Sequence, residues 1–401
     1  MAAHYDVAIV GAGIIGLATA REILQRRPGA RLAVLDKESD IALHQSGHNS
    51  GVIHSGIYYT PGSLKAKACV EGGALLYRYC EERGIHFERC GKVVVATSEE
   101  ELPRLEELHR RGLANGVPGL EMIGPDRLHE LEPHLVGARA LWSPNTGIVN
   151  YREVALAYAR DVQTAGGEIL TRHELIGWHR DEEATVLETT GGEISAIAVI
   201  ACAGLHADRV AALTGAPATP RIVPFRGDYY VLRPERRGLV RSLIYPVPDP
   251  AFPFLGVHFT RTVGGEVWLG PNAVLAFARE GYRRTDVVPR DLLEAVAYRG
   301  FRRLAAKYWR TGLAEMWRDV SKAAFLASGR VFVPELQLDD LLPGPSGVRA
   351  QALAPDGSLV DDFVVDRAGG VLHVRNAPSP AATASLAIGA MIADAFEQGT
   401  R

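Results

Sequence analysis

Residues 5–16 read Tyr5-Asp6-Val7-Ala8-Ile9-Val10-Gly11-Ala12-Gly13-Ile14-Ile15-Gly16, and this stretch decides the fold. The apolar run Tyr5–Val10 predicts a buried strand, and an apolar-periodic segment from about Ile14 to Gln25 predicts a helix closed by Pro28 and Gly29. Arg31–Leu35 predicts a second strand, with Asp36 standing 20 residues after Gly16. A strand–helix–strand unit of this length is a parallel crossover. Gly11-x-Gly13-x-x-Gly16 then falls where a dinucleotide fingerprint belongs. Gly11 permits the tight turn, Gly13 admits a pyrophosphate, and Gly16 lets helix and strand pack closely. Ile14 and Ile15 open a helix whose free N–H groups and positive dipole end favour phosphate. Asp36, followed by Lys37, is placed to accept from a ribose 2′-hydroxyl, which argues against a 2′-phosphate and so against NADP. The unit alone serves NAD and FAD equally.

Outward from this unit, residues 40–63 are rich in Gly, Ser, His and Asn and read as a functional loop. Helices are predicted over Ser63–Arg83, Glu99–Arg111 and Tyr151–Thr164, and strands over Gly91–Thr97, near 168–179 and near 185–190. Ala196–Ala201 is a strand that runs into the turn Cys202-Ala203-Gly204. Between 221 and 275 the pattern alternates in Arg226–Leu232, Phe254–Thr262 and Val267–Gly270, as in an antiparallel sheet. Residues 290–312 predict one long amphipathic helix. The C-terminal part reads as strand Gly347–Leu353, turn Pro355-Asp356-Gly357, strands Phe363–Asp366 and Val371–Val374, and helix Ala382–Phe396. The fold class is α/β: a Rossmann-like nucleotide-binding domain with a mostly parallel sheet, and a mixed β-rich substrate domain. The first is expected to be discontinuous over 1–90, 145–220 and 345–401, and the second, a cap, to hold 91–144 and 221–344.

A chain of 401 residues suits two domains sharing an interface. With 47% hydrophobic and 23% charged residues it is not a disordered chain. The net charge of −3 gives no sign of a nucleic-acid partner. Four cysteines without a CxxC pair point away from a metal cluster or disulfide framework and toward a reduced, cytoplasmic setting. No apolar run reaches 18 residues, so no membrane span is expected, and the strand that starts at once around Asp6 does not read as a leader.

Three further segments are specific: His44–Tyr59, Val199–Asp208 and Asn376–Ser385. With them the sequence resembles the FAD-dependent oxidoreductases related to D-amino acid oxidase, glycine oxidase and glycerol-3-phosphate dehydrogenase. Through residues 45–65, Pro224–Gly227, Phe254–Arg261 and Asn376–Ser385 it looks more narrowly like the L-2-hydroxyglutarate oxidases and dehydrogenases. The resemblance implies an FAD and no metal. It implies that Gly11, Gly13, Ile14, Ile15 and Gly16 meet the pyrophosphate, and that Asp36 and Lys37 lie at the adenosine ribose. Ser46, His48, Asn49, Ser50 and Gly51 would line the pyrophosphate and flavin edge, and Ala203 and Gly204 the end of their strand. Pro378, Ser379, Pro380, Ala381 and Thr383 would set a helix N-terminus near the flavin, where its dipole favours negative charge.

Oxidation of a 2-hydroxy acid needs a cation for its carboxylate and a base for its hydroxyl proton. His258 is favoured as the base, with His54 as a substrate hydrogen bond or alternative base, because imidazole titrates near neutral pH. Arg349 resembles the family's carboxylate-binding arginine, whose planar guanidinium grips two oxygens at once. Gln351 lies on the same strand face, Arg226 suits the second carboxylate of a 2-hydroxy dicarboxylate, and Tyr58 is a further substrate candidate. Tyr58, like the further suspects Lys65 and Tyr245, reads first as a packing or solvent-facing residue. The expected reaction is conversion of L-2-hydroxyglutarate to 2-oxoglutarate, with electrons passing to O2 or a quinone-linked acceptor. Residues 283–322 hold ten Lys/Arg against five Asp/Glu among aromatic side chains. They read first as a helix packed on its own domain, and second as a peripheral contact with the inner face of the cell membrane. Rival readings are an oxidase of another 2-hydroxy or amino acid, a non-catalytic flavin-binding module and an NAD-dependent dehydrogenase.

Overall fold

The computed structural model describes residues 3–181, 184–249 and 254–399. Strand Ala3–Val10 pairs in parallel with Leu32–Leu35 on one side and Gly192–Ala201 on the other, and helix Ile14–Arg26 makes the crossover. Glu168–Leu170 extends the parallel set beyond Leu32–Leu35, and Val371–Asn376 joins it beside residues 199–201. Strands 175–180, 185–189 and 364–368 add antiparallel pairings to complete an eight-stranded sheet. Leu32–Leu35 is buried at every position, which is why it reads as a continuous apolar run without alternation. Helix Ile14–Arg26 buries Leu17, Ala18, Ile23 and Leu24 and packs on helices Tyr151–Thr164 and Ser385–Gln398.

A nine-stranded sheet forms the second layer. It contains Lys92–Ala96, Glu121–Ile123, Arg139–Ser143 and the strands between Arg221 and Leu353. Its only parallel pairing among the described residues is Leu243–Pro246 with Lys92–Ala96. Side chains alternate between two cores: Val93, Val95, Ile244, Phe259 and Leu269 enter one, while Val94, Ala96, Leu243 and Tyr245 enter the other. A three-stranded sheet of Val52–Ile53, Gly147–Val149 and Phe87–Glu88 secures the chain where it leaves the 40–51 loop.

Three expectations need correction. The strand at Gly347–Leu353 begins at Leu341 and pairs along Arg221–Leu232, so the boundary at 345 falls inside one hydrogen-bonded ladder. The strand over Phe254–Thr262 is confined to His258–Arg261. The long helix over 290–312 is broken into Pro289–Ala297, Arg299–Lys307 and Trp309–Val320. Tyr298 causes the first break. It takes extended backbone angles, buries its ring, and donates its hydroxyl to the Leu353 carbonyl at 3.0 Å. Gly300 follows, where a Cβ would stand 2.4 Å from the Ala354 carbonyl oxygen, so the chain turns tightly against the end of the Arg349 strand.

Candidate active site

The C-terminal ends of the parallel strands open on a cleft of about 430 Å3, lined by Gly11, Gly13, Asp36, Ser46, Ala203 and Gly204. Ligands of open parallel sheets bind at such ends. Gly11 has φ of +110°, and a Cβ there would stand 2.4 Å from the Cys202 carbonyl oxygen. A Cβ on Gly16 would stand 2.0 Å from the Gly11 oxygen, and one on Gly13 3.3 Å from Ser46 Oγ. The Asp36 carboxylate accepts from the N–H groups of Ala12 (2.7 Å) and Glu38 (3.0 Å), so it holds the glycine turn while facing the cleft.

The 40–51 loop is largely self-organised. Ser46 Oγ accepts from the Ile14 N–H at 2.9 Å and so caps the first helix. The Ile15 carbonyl accepts from Thr19 Oγ1 at 2.8 Å. Asn49 donates to the Gln45 and Ser46 carbonyls and accepts from the Gly51 N–H across Ser50. His48 stacks on Tyr282 at 4.0 Å, with Nδ1 3.1 Å from the Ser346 carbonyl. The side chains of His48 and Asn49 are therefore spent on shaping the loop. Lys37 is likewise committed, with its ammonium held by Glu38 and, at 2.7 Å, by Glu280.

Pro378, Ser379, Pro380 and Ala381 lie in turns that lead into the C-terminal helix, which begins at Ser385, three residues later than expected. Thr383 ties these turns to the active-site loop. Its Oγ1 accepts from the His54 N–H at 3.1 Å and bonds the Tyr151 hydroxyl at 2.8 Å. Gly72, inside helix Leu64–Arg83, permits this approach, since a Cβ there would stand 2.6 Å from Ala384 Cα.

His258, Tyr245 and Lys92 share one face of the nine-stranded sheet. Strand alternation puts Thr260 with His258 and sends Arg261 away to Glu88 at 3.4 Å. Tyr245 stacks on His258 with ring centroids 3.9 Å apart, and Lys92 Nζ lies 4.1 Å from the Tyr245 centroid. His258 Nδ1 is 2.8 Å from the Gly256 carbonyl. A carbonyl only accepts, so Nδ1 carries the proton and Nε2 keeps the lone pair. Burial, opposed by the Gly256 contact and reinforced by the charges of Lys92 and Arg349, pushes the His258 pKa down to about 3. His54 is held well below its ordinary value by burial and by Lys92, His258 and Lys65. Both rings are neutral at pH 7 and able to take a proton.

The sign of the pH effect follows. A base whose pKa is depressed stays competent in acid, so kcat/KM for flavin reduction should be level from pH 7 to pH 5. A fall centred near pH 6.5, read by stopped flow, would remove His258 and His54 from the role of base in the free enzyme.

Arg349 Nη1 is buried and has no hydrogen-bond partner, and its guanidinium carbon lies 5.6 Å from the Phe254 ring centroid. The Tyr58 hydroxyl is also buried and unpartnered. Buried polar atoms rarely stay unpaired in proteins, so these two point to a polar ligand. Gln351 donates to the Ala352 carbonyl at 3.2 Å. Arg226 does not serve the site as expected. Its Nε contacts both Asp228 oxygens at 3.1 Å, Nη2 reaches Asp319 at 3.3 Å, and Nη1 donates to the Arg283 carbonyl at 3.2 Å. Every nitrogen is taken, which leaves none for a substrate carboxylate. Lys65 pairs with Asp361 at 2.8 Å.

Residues 6–395 match the family model described as FAD dependent oxidoreductase. The chain belongs to that family. It is 53% identical to L-2-hydroxyglutarate dehydrogenase, mitochondrial, of Nematostella vectensis over 98% of this chain and 90% of the relative. The human enzyme of the same name is 50% identical, over 98% and 89%. L-2-hydroxyglutarate dehydrogenase of Indibacter alkaliphilus is 49% identical, over 97% and 98%. Among solved structures, L-alpha-glycerophosphate oxidase of Mycoplasma pneumoniae superposes with a TM-score of 0.78 at 23% identity, over 97% of this chain and 94% of that one. Glycine oxidase of Geobacillus kaustophilus gives 0.73 at 22%, over 99% and 95%. These two establish the shared fold.

As an FAD-dependent oxidoreductase the chain has a cradle that fits its cofactor: glycines with no room for a Cβ, a helix N-terminus, and an acid closing the second strand. Gly16→Ala should push the first helix off the turn, and the purified protein should emerge short of flavin with a Tm lowered by several degrees. A fully yellow variant of unchanged Tm would show that the close packing is dispensable. Two features of this oxidoreductase went unread in the sequence. Gly72-Gly73 inside a helix signals close approach of another backbone, and Lys92 at the head of Val93-Val94-Val95 is a charge where an apolar strand begins.

Proposed function

We propose that the chain oxidises L-2-hydroxyglutarate to 2-oxoglutarate. The observation that carries this reading is a buried imidazole, His258, whose Nδ1 contact with the Gly256 carbonyl leaves Nε2 to accept a proton, within electrostatic reach of Arg349, whose buried Nη1 has no partner. The names of the relatives at about half identity support the substrate. Arg349 grips the C1 carboxylate with two parallel bonds and so orients C2. His258 Nε2 takes the hydroxyl proton as the C2 hydride departs and the carbonyl forms. The Gly256 carbonyl keeps the imidazole in the accepting tautomer and stabilises the imidazolium that results. Tyr58 contributes its unpartnered hydroxyl to substrate oxygen, and His54 stands as a second neutral imidazole held by its backbone to Thr383. FAD, when bound by the Gly11–Gly16 turn, supplies the hydride acceptor. Anaerobic mixing with L-2-hydroxyglutarate should bleach the flavin band at about 450 nm. D-amino acids and glycerol 3-phosphate should leave it intact. A protein that stays yellow with the hydroxy acid would overturn the substrate.

A specific observation also favours a membrane-linked electron acceptor. Helix Trp309–Val320 turns Trp309, Leu313, Met316, Trp317 and Val320 to one side, and each is more than half exposed. The preference for a face packed on its own domain does not describe these five side chains. Arg302, Arg303 and Lys307, exposed on the preceding helix, add positive charge. A basic amphipathic helix with tryptophans lies readily on an anionic bilayer. A quinone in that bilayer is the acceptor such a surface would serve. No helix among the described residues is long and apolar enough to cross a membrane. The double variant Trp309→Ser, Trp317→Ser should lose co-sedimentation with phosphatidylglycerol vesicles and keep its flavin reduction by substrate. Equal sedimentation of both proteins would end this reading.

A further inference from the structure

Arg226 is saturated, yet a 2-hydroxy dicarboxylate brings two carboxylates into the site. One other cation is buried there without a counter-charge. Lys92 is 1% exposed, and no carboxylate of the described residues pairs with it. Its ammonium faces the rings of Tyr245 at 4.1 Å and Tyr58 at 5.4 Å. Through the Tyr245–His258 stack it stands one ring away from the proposed base. Keeping a lysine charged and unpaired in such surroundings is costly, and burial pulls its pKa down to about 8. A packing role alone would be served better by methionine or leucine. Lys92 and Arg349 are thus two cations free of ion pairs that both act on His258, as a dianion flanking that base would require.

We propose that Lys92 binds the carboxylate remote from the reacting carbon, and that this contact selects 2-hydroxy dicarboxylates over monocarboxylates. The inference rests on the hydroxy-acid reading above. The chain itself then accounts for both ends of the substrate: a planar fork fixes the end beside the reacting carbon, and a point charge on a flexible stem accepts the far end. The aromatic walls of Tyr58 and Tyr245 suit the methylenes between them.

The test uses the FAD-loaded enzyme and two inert ligands, glutarate and butyrate, which differ by one carboxylate and cannot be oxidised. Binding is read by calorimetry and by the shift of the flavin spectrum. Wild type should prefer glutarate by about 10- to 100-fold, the range for a hydrogen bond to a charged group. Lys92→Met should abolish that preference and leave butyrate affinity within about twofold. Lys92→Arg should restore part of it. Equal weakening of both ligands in Lys92→Met would mark Lys92 as structural and overturn the proposal, as would a wild type indifferent to the second carboxylate. Strong, Lys92-dependent glutarate binding in a protein that L-2-hydroxyglutarate does not bleach would keep Lys92 and sink the substrate reading.

Should Lys92→Met fail to fold, the wild type alone decides. Glutarate preference should fall as pH rises past about 8, where Lys92 loses its proton, while butyrate affinity stays level through the same range. The groups facing Lys92 are Tyr245, Tyr58, His54, His258, Cys69 and Cys90, and the charges of Lys65 and Arg349 act on His54 and His258 respectively. Burial holds the tyrosines and cysteines neutral above that range or at its edge, and the histidines are already neutral. A preference level from pH 7 to pH 10 would overturn the proposal.

Discussion

Arg349→Leu is expected to lower kcat/KM for L-2-hydroxyglutarate by about 100- to 1,000-fold, or roughly 3–4 kcal/mol, the range for truncating one partner of a buried hydrogen-bonded charge pair. In the proposed role the guanidinium offers two parallel donors to the carboxylate beside the reacting carbon, and Nη1 is buried without a partner. Loss of the pair should raise KM. It should also lower kcat, because a substrate free to rotate presents its C2 hydrogen poorly. Arg349→Lys should fall between, since an ammonium retains the charge but cannot form the fork. Steady-state kinetics with fixed acceptor would read both. Kinetics unchanged in Arg349→Leu would remove this residue from the site.

His258→Ala is expected to slow the first-order rate of flavin reduction by about 100- to 10,000-fold, the usual contribution of a positioned general base. Bound FAD should remain, because His258 is not among the residues that line the cleft at the glycine turn. His258→Gln separates two parts of the effect. It preserves a polar group beside the Gly256 carbonyl yet offers no basic nitrogen, so its rate should stay near that of the alanine variant. Retention of the wild-type rate would move the proton to His54, whose pKa is also depressed and whose backbone is fixed through Thr383.

The pattern of legibility follows from the range of each interaction. The glycine turn and the parallel crossover were readable because they are local: strand, turn and helix lie within thirty-odd residues, and Gly16 is demanded by the nearby Gly11 carbonyl, although Gly11 and Gly13 are crowded by Cys202 and Ser46 from elsewhere in the chain. His258 and Arg349 were readable as candidates from their strand settings and from the family resemblance. The fate of Arg226 was not. It is decided by Asp228 two residues away and by Asp319, which lies 93 residues further along on a helix the sequence did not resolve. The break at Tyr298 was hidden for a similar reason, since its cause is the carbonyl of Leu353 on a distant strand.

By itself the sequence determined the parallel crossover with its glycine turn, the presence of strands at His258 and Arg349, and the alternation that turns His258 inward, properties of local sterics and of a period-two backbone. Only the tertiary structure decided which charges are spent and which are free. Ion pairs depend on partners that strand pairing brings together from far apart, and the protonation of His258 depends on how completely its surroundings exclude water. That is why Lys92, a single charge at the head of an apolar strand, acquires meaning only when Tyr245 and His258 are laid beside it.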